Sequence, residues 1–169
     1  MAIFTPKYIF KSVKAITPEF LNSIGIKALI LDIDNTLTSH GSQELPEFVD
    51  NWLNIMRENG IKLTISSNNI EERVKPFAEK IGLQYVAFSC KPSFHGLHKA
   101  RKRMNVSKKE VALVGDQIFT DVMGANLYNI MSIMVLPMKK DVHKSILLKR
   151  KLEKPFINNY YKKGGKLYE

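Results

Sequence analysis

Five short apolar runs alternate along the chain with segments whose apolar residues recur at helical spacing. The runs have the length and residue types of buried strands and occupy residues 27–33, 61–66, 84–88, 111–115 and 131–135. Between them, the helical period predicts helices over residues 46–59, 70–81, 93–104 and 118–127. Gly60 and Gly82 follow the first two helices, in the position of a glycine that ends a helix.

Repeated strand–helix units predict a parallel sheet, because the crossover between parallel strands usually runs through a helix. We therefore expect an α/β fold: a three-layer, Rossmann-like parallel sheet of about five strands with helices on both faces. Residues 1–138 would form this domain with an N-terminal lead-in, and residues 139–169 a basic C-terminal helix and tail attached to it. In such sheets the ligand site lies outside the carboxyl ends of the strands.

Polar side chains follow four of the predicted strands at their carboxyl ends. Asp32 and Asp34 follow the first strand, and residues 66–69, 89–91 and 115–121 follow the next three. Residues i and i+2 of an extended backbone point the same way, so the two carboxylates repel each other unless a cation lies nearby. Such a pair is expected where a metal or a proton transfer uses it. The alternative is a pair of solvated turn acids.

Composition narrows the class of protein. At 169 residues the chain is expected to form one domain with a substantial core, and 44% of its residues are apolar. No apolar run approaches the roughly 20 residues of a membrane span, and residues 1–10 lack the pattern of a secretory signal. The one cysteine, Cys90, excludes an internal disulfide and is expected to be a packed thiol. These features predict a cytoplasmic protein.

The positive charge of the chain is unevenly distributed. The formal net charge is +10, and residues 139–169 hold ten Lys or Arg against three acidic residues. One interpretation is an anionic partner: nucleic acid, an anionic lipid or a polyanionic substrate. The other is a solvated helix followed by a loose tail.

The residues at the predicted rim suit phosphate chemistry. Its carboxylates offer oxygen ligands without a matching His or Cys cluster: Asp32, Asp34, Asp116 and Asp121. Such ligands suit Mg²⁺, which binds through a few carboxylates together with a substrate phosphate. A hydroxyl, two amides and an ammonium on the same rim could hold phosphate oxygens: Ser67, Asn68, Asn69 and Lys91. Phosphoryl transfer needs mainly such positioning and charge neutralisation.

Several of these groups also have a purely structural interpretation. Lys91 could be a solvated lysine before a helix that Pro92 opens, and Ser67 could cap the helix over residues 70–81. Asp121 could be a first-turn acid that the helix dipole favours. The histidines have no spacing that is typical of a metal site: His40, His95, His98 and His143.

Taken in order, the rim residues resemble the four motifs of the haloacid dehalogenase (HAD) superfamily. The matching stretches are Asp32-x-Asp34-x-Thr36, Ser67-Asn68, Lys91-Pro92, and Gly115-Asp116 with Asp121. A narrower resemblance covers almost the whole chain and points to the YqeG-type group of HAD class IIIA phosphatases. It adds Gly25-Ile26-Lys27, Asn69, Ala87-x-x-x-Lys91-Pro92 and Gly115-Asp116-Gln117-x-x-Thr120-Asp121. That group is related to the phosphatidylglycerophosphate phosphatases of mitochondria.

The resemblance implies a catalytic pair and a metal. Asp32 would be the nucleophile that forms an aspartyl-phosphate, and Asp34 would protonate the leaving oxygen and then activate water. Mg²⁺ would be held by the Asp32 side chain, the Asp34 backbone carbonyl and the Asp116 carboxylate. Thr36 would support this set from the first motif.

The resemblance also implies a phosphate site. Ser67, Asn68 and Lys91 would hold the phosphate oxygens, and the family pattern selects Ser67 although Ser66 also offers a hydroxyl. Asp121 would orient Lys91 or metal-bound water.

Spacing predicts an open site without a large cap domain. Many HAD enzymes carry a cap after the first motif or after the second strand, but residues 38–45 form only a short loop and residues 69–84 have room for one helix. An open site suits a macromolecule or a lipid head group. Within residues 142–156 an apolar stripe could form among the lysines from Val142, Ile146, Leu147 and Leu152. Such a helix can rest on an anionic membrane, or it can pack on the domain with its charges in water.

These features predict a Mg²⁺-dependent phosphomonoesterase, with phosphatidylglycerophosphate as the best substrate guess. Residues 139–169 would make peripheral contact with the inner face of a membrane. The alternatives are a phosphatase of a soluble, protein or nucleic-acid phosphoester, or an idle HAD domain that binds RNA or a ribosomal partner through its basic face. The complete set Asp32, Asp34, Lys91 and Asp116 argues against an idle domain.

Overall fold

Seven parallel strands form one sheet in the computed structural model, which describes residues 3–140 and 144–169. The strands are β1 (Tyr8–Phe10), β2 (Ala28–Leu31), β3 (Lys62–Ser66), β4 (Tyr85–Val86), β5 (Val111–Gly115), β6 (Met131–Val135) and β7 (Leu167–Tyr168). Their order across the sheet is β4-β3-β2-β5-β6-β1-β7, and every neighbouring pair is parallel. All carboxyl ends therefore lie at one edge, which confirms the predicted α/β class.

Helices cover both faces of this sheet. In the described ranges the α-helices are α1 (Pro18–Ser23), α2 (Glu47–Glu58), α3 (Glu71–Lys80), α4 (His95–Met104), α5 (Met123–Tyr128) and α6 (Lys144–Lys162). Leu29 and Leu31 of β2 share a core cluster with residues of α1, α2 and α3, whereas Ala28 and Ile30 share a second cluster with residues of α4 and α5. Successive side chains of a strand point to opposite faces, so β2 is buried on both sides and is apolar throughout.

All five predicted strands form, although β2 and β4 are shorter than expected. The sequence analysis does not predict β1 or β7, so the sheet has two more strands than expected. These strands have three and two residues, which is too short to show a hydrophobic period. Both strands are defined by their pairing with neighbouring strands. Ile9 of β1 lies opposite Met134 of β6 on one side and Leu167 of β7 on the other.

The connections near the carboxyl edge are short, as predicted. Between β2 and α2 the chain forms a loop with one isolated bridge, from Asp34 to Thr38, and only α3 lies between β3 and β4. Gly60 and Gly82 follow α2 and α3 with φ of +74° and +65°, the left-handed conformation in which glycine ends a helix. No cap domain interrupts these connections.

The apolar contacts of helix α6 with the domain lie in its second half. Phe156, Ile157 and Tyr160 join a third apolar cluster with Ile9 and Ile118. This favours the interpretation in which the basic helix packs on the domain. The contact residues differ from the predicted stripe, because the packed face begins one turn or more after it.

The predicted stripe remains largely outside the core. Leu147 and Leu152 are 42% and 54% exposed, while Ile146 is half-buried. Val142 and His143 lie outside the described residues. Among the helices described, none is both long enough and apolar enough to cross a membrane.

Candidate active site

The loops that leave the carboxyl ends of β2, β3, β4 and β5 meet around one cavity of about 190 Å³. Its lining comprises Asp32, Asp34, His40, Ser67, Asn68, Asn69, Lys91, Gln117, Thr120, Ile146 and Lys149. The structure therefore brings six of the predicted site residues together in one cavity: Asp32, Asp34, Ser67, Asn68, Asn69 and Lys91. Asp116 and Asp121 are buried beside them, and contacts with Lys91 and Asp32 tie them to the same centre.

Lys91 lies between two carboxylates at the floor of the cavity. Its Nζ donates to Asp32 Oδ1 and to Asp121 Oδ1, both at 2.7 Å, and its side chain is 2% exposed. Burial lowers the pKa of Lys91, but the Asp121 and Asp32 carboxylates outweigh it and raise that pKa above its usual value. Burial raises the pKa of Asp32 to about 7, although Lys91 opposes the shift. Lys91 is therefore a buried, charged lysine that orients the carboxylate of Asp32, in contrast to the solvated lysine of the structural alternative.

Asp121 reaches this centre because the backbone of Gly115 lets it approach. A Cβ atom on Gly115 would lie 2.3 Å from Asp121 Cγ, so only glycine fits there. Residues Ile118–Val122 form a π-helical turn where the sequence predicts the first turn of an α-helix. Asp121 uses both carboxylate oxygens: Oδ1 accepts from Lys91, and Oδ2 accepts from the backbone N–H of Gln117 at 3.1 Å.

Three carboxylates could hold a cation here. Oxygens of Asp32, Asp116 and Asp121 lie within 4.8 Å of one another, and all three residues are buried. Burial raises the pKa of Asp116 well above its usual value, although Arg150 lowers it. Within the described residues Asp116 Oδ1 is buried and lacks a hydrogen-bond partner. A buried carboxylate oxygen without a donor, in an all-oxygen group, fits a hard divalent cation such as Mg²⁺.

Among the residues described, three groups donate hydrogen bonds to the Asp34 carboxylate. One belongs to the loop between β2 and α2, and two belong to α3 and the segment before it. The carboxylate accepts from the backbone N–H of Gly41 at 2.7 Å, from Asn69 Nδ2 at 2.6 Å and from Arg73 Nη2 at 2.9 Å. The sequence analysis does not identify Arg73, which is one of many basic residues in the chain. Its position one helical turn after Asn69 is the only sequence signal that could have found it.

Ser66, the last residue of β3, and Ser67, which follows it, lie in different surroundings. Ser67 lines the cavity, and its Oγ accepts from the backbone N–H of Asn69 at 3.2 Å. Ser66 is fully buried and its Oγ has no partner among the residues described. Thr36 is also buried, and its hydroxyl is unpartnered in the same ranges.

Asn68 braces the segment that carries Lys91. Its Oδ1 accepts from the Lys91 backbone N–H at 2.7 Å and from Ser89 Oγ at 3.0 Å, while its Nδ2 donates to the Lys91 carbonyl oxygen at 2.8 Å. These contacts give the Asn68 side chain a positioning role, and a direct contact with phosphate stays a prediction. Cys90, predicted to be packed, is exposed, and its backbone has a positive φ of +55°.

The C-terminal helix α6 contributes one wall of the cavity. Ile146 and Lys149 line it, so the site is less open than the spacing of the loops predicts. Arg150 donates to the Asp116 carboxylate and to the Asp116 carbonyl oxygen. Glu153 is fully buried and accepts from Arg150 at 3.2 Å and from the Ile118 backbone N–H at 2.7 Å.

The sequence analysis does not predict this anchoring of α6. Arg150 and Asp116 are 34 residues apart in the chain, and nothing in the local pattern links them. The one available signal is Glu153, an isolated acid in a helix of lysines, three residues after Arg150.

Comparisons with known proteins find similar phosphatases. The sequence model of the mitochondrial PGP phosphatase family matches residues 1–137. The chain is 33% identical over 161 residues to the probable phosphatase YqeG of Bacillus subtilis, covering 95% of this chain and 94% of that protein. It is 30% identical over 115 residues to the mitochondrial phosphatidylglycerophosphatase GEP4 of Saccharomyces cerevisiae, covering 60% of this chain and 62% of that one.

The fold is also similar to that of solved structures. NagD from Escherichia coli K-12 superposes with a TM-score of 0.56 over 71% of this chain and 93% of that chain, at 12% sequence identity. At that identity the likeness concerns the fold alone.

Proposed function

Since the chain belongs to the mitochondrial PGP phosphatase family and is a HAD-type phosphoric monoester hydrolase, we propose that it hydrolyses the terminal phosphate of phosphatidylglycerophosphate. In this proposal the reaction depends on Mg²⁺ and passes through an aspartyl-phosphate on Asp32. The observation that carries it is the buried contact of Asp32 with Lys91, beside the cluster of Asp32, Asp116 and Asp121.

Asp32 is suited to attack phosphorus. Its Oδ1 is held by Lys91 at 2.7 Å, which fixes the carboxylate and leaves Oδ2 as the attacking atom. The attack forms an Asp32–phosphorus bond and breaks the bond from phosphorus to the alcohol oxygen. Ser67 lines the same cavity, and its hydroxyl would donate a hydrogen bond to a phosphate oxygen.

Asp34 would act as the general acid in the first half-reaction and as the general base in the second. In the first half it would give a proton to the leaving alcohol oxygen, and in the second it would take one from the water that attacks the phospho-enzyme. In the structure the Asp34 carboxylate accepts hydrogen bonds from Gly41, Asn69 and Arg73, and these fix its orientation.

The metal in this proposal is Mg²⁺, held by the Asp32 and Asp116 carboxylates and by the Asp34 carbonyl oxygen. When bound, it supplies positive charge that reduces the repulsion between a carboxylate nucleophile and an anionic phosphate. Asp121 already directs its two oxygens at Lys91 and at a backbone N–H, so we assign it the positioning of Lys91.

The size of the cavity supports a substrate that enters by its head group only. A cavity of about 190 Å³ is below the roughly 300–1,000 Å³ that encloses a whole small-molecule ligand. A phosphoryl group with a short alcohol segment can enter, and the remainder of a lipid would stay outside. A phosphorylated macromolecule would enter in the same way, so the substrate assignment rests on the family.

The surface of α6 supports contact with an anionic bilayer. Leu147, Leu148 and Leu152 are 42%, 59% and 54% exposed on a helix whose Ile146 and Lys149 line the cavity. The net charge of residues 139–169 is +7. Exposed leucines among lysines are typical of helices that lie at a membrane interface. The proposal therefore places the protein in the cytoplasm, in peripheral contact with the inner face of a membrane.

The direct test is phosphate release by the purified protein with Mg²⁺. The substrates are short-chain phosphatidylglycerophosphate, glycerol 3-phosphate, a sugar phosphate and a nucleotide, and the Asp32→Asn variant is the control. We expect the highest kcat/KM on phosphatidylglycerophosphate, with release abolished by the substitution and by EDTA. Preference for a soluble phosphomonoester would contradict the substrate. Equal release by Asp32→Asn would contradict the mechanism.

A further inference from the structure

Besides His40, three polar side chains line the cavity and have no part in the proposed chemistry: Gln117, Thr120 and Lys149. Gln117 and Thr120 belong to the turn after β5, and Lys149 belongs to α6. Those two elements are joined by the hydrogen bond from the Ile118 N–H to Glu153. The three side chains therefore come from adjoining parts of the fold, apart from the loops that carry Asp34 and Ser67.

Lys149 differs from the other lysine of the lining. Lys91 is neutralised by Asp32 and Asp121 at 2.7 Å each. Lys149 has no carboxylate within ion-pair distance in residues 3–140 and 144–169 and is exposed to solvent. Its backbone is fixed beside the cavity, because the next residue, Arg150, is bound to Asp116. Lys149, which has no carboxylate partner among the residues described, is thus held at the wall of the proposed phosphate cavity.

We propose that Lys149, with Gln117 and Thr120, forms a second anion subsite that takes a phosphate in the alcohol part of the substrate. This inference rests on the proposed function, since it concerns the substrate of the same cavity. An ammonium, an amide and a hydroxyl all donate hydrogen bonds to phosphate oxygens. A substrate with two phosphates separated by a short alcohol would place one at Asp32 and the other at Lys149.

The cavity has room for this arrangement. Its volume of about 190 Å³ is the volume that about six water molecules occupy in the liquid, at ~30 Å³ each. That space exceeds a single phosphoryl group and accommodates part of the adjoining alcohol. The second phosphate would then lie at the mouth, where Lys149 is exposed. The subsite would favour a lipid head group that carries a phosphodiester, and equally a soluble molecule with the same two phosphates.

The test compares three soluble substrates. They are glycerol 3-phosphate, dihexanoyl phosphatidylglycerophosphate below its micelle concentration, and the deacylated form of that lipid. The variants are Lys149→Gln, the conservative Lys149→Arg and the matched control Lys151→Gln. Lys151 lies two residues along α6, about 200° around the helix from Lys149, and is also exposed.

The preference for a two-phosphate substrate is its kcat/KM divided by the kcat/KM for glycerol 3-phosphate. We expect Lys149→Gln to lower this preference about tenfold, mainly by raising KM for the two-phosphate substrate. Lys149→Arg should keep most of the preference, and Lys151→Gln should keep all of it. A ratio for Lys149→Gln within twofold of the wild type would overturn the subsite. So would an effect confined to the acylated substrate, because the acyl chains would then be the groups recognised.

A binding measurement separates this inference from the proposed function. Calorimetry on Asp32→Asn, with and without Lys149→Gln, gives Kd for the deacylated two-phosphate compound in the absence of turnover. Weaker binding in the double variant supports the subsite even if the wild type releases no phosphate. The absence of phosphate release would contradict only the proposed function. Equal Kd values would overturn the subsite, while phosphate release by the wild type would leave the proposed function intact.

Discussion

Arg150 of the C-terminal helix donates to the carboxylate of Asp116, which lies fully buried at the end of the central strand β5. The same guanidinium reaches the Asp116 carbonyl oxygen and Glu153. The contact joins the basic end of the chain to a carboxylate of the candidate metal site. Helix α6 is therefore part of the site, and its two lining residues, Ile146 and Lys149, are placed by this anchor.

Removal of the anchor should destabilise the protein. We expect Arg150→Gln to lower the free energy of unfolding by about 3 kcal/mol, because it leaves Glu153 buried without its cation. Urea denaturation measures the change. Lys154→Gln, an exposed position on the same helix, should change it by less than about 0.5 kcal/mol. A loss for Arg150→Gln no larger than that of the control would show that the contact contributes little.

Arg73 should act through Asp34. We expect Arg73→Met to lower kcat on the order of 100-fold with little change in KM, because Asp34 loses a donor that fixes its carboxylate. Lys75→Gln, an exposed lysine of the same helix, is the control.

The double variant Arg73→Met with Asp34→Asn tests whether Arg73 acts by positioning Asp34 or independently of it. If Arg73 works through Asp34, Arg73→Met should cost little further activity in an Asp34→Asn background. The pH profile of kcat should also change in Arg73→Met but not in Lys75→Gln. Additive losses with an unchanged profile would show that Arg73 acts elsewhere.

Metal affinity should increase with pH. Burial raises the pKa of Asp32 to about 7, so this carboxyl holds a proton in slightly acidic solution, and burial also raises the pKa of Asp116 well above its usual value. Mg²⁺ binds the deprotonated form, so it must displace the proton on Asp32. Calorimetry in buffers of different ionisation enthalpy should show tighter binding at pH 8 than at pH 6, with net proton release. Constant affinity without proton release would contradict this account of the site.

The exposed leucines of α6 should govern binding to lipid. We expect Leu148→Gln to reduce partitioning to anionic phosphatidylglycerol vesicles about tenfold, because burial of a leucine contributes roughly 1.5 kcal/mol or more. Added salt should weaken binding of the wild type as well. Co-sedimentation measures both, with the exposed Ile55 of α2 changed to Gln as the control. Identical losses for the two variants would mean that α6 is not the docking surface.

The sequence predicts the centre of this site because each of its groups follows an apolar strand. Asp32, Ser67, Lys91 and Asp116 each come soon after such a run, and the carboxyl ends of parallel strands share one edge. Local pattern and topology were therefore sufficient to group them.

The rest of the site depends on contacts between distant segments. Arg73 meets Asp34 across 39 residues and Arg150 meets Asp116 across 34, and both are basic residues in helices where a surface position is the usual expectation. The strand β7 has two residues and exists only because β1 offers it an edge. No hydrophobic period along the chain encodes such pairings.

The central claim is that Asp32 carries the phosphoryl group during turnover. Borohydride reduces an acyl-phosphate, so quenching the enzyme with it during turnover of phosphatidylglycerophosphate with Mg²⁺ and sequencing the peptides by mass spectrometry tests the claim directly. We predict homoserine in place of aspartate at position 32, absent without substrate and absent when EDTA removes the metal. Unmodified Asp32 during active turnover, or reduction at a different carboxylate, would contradict the claim.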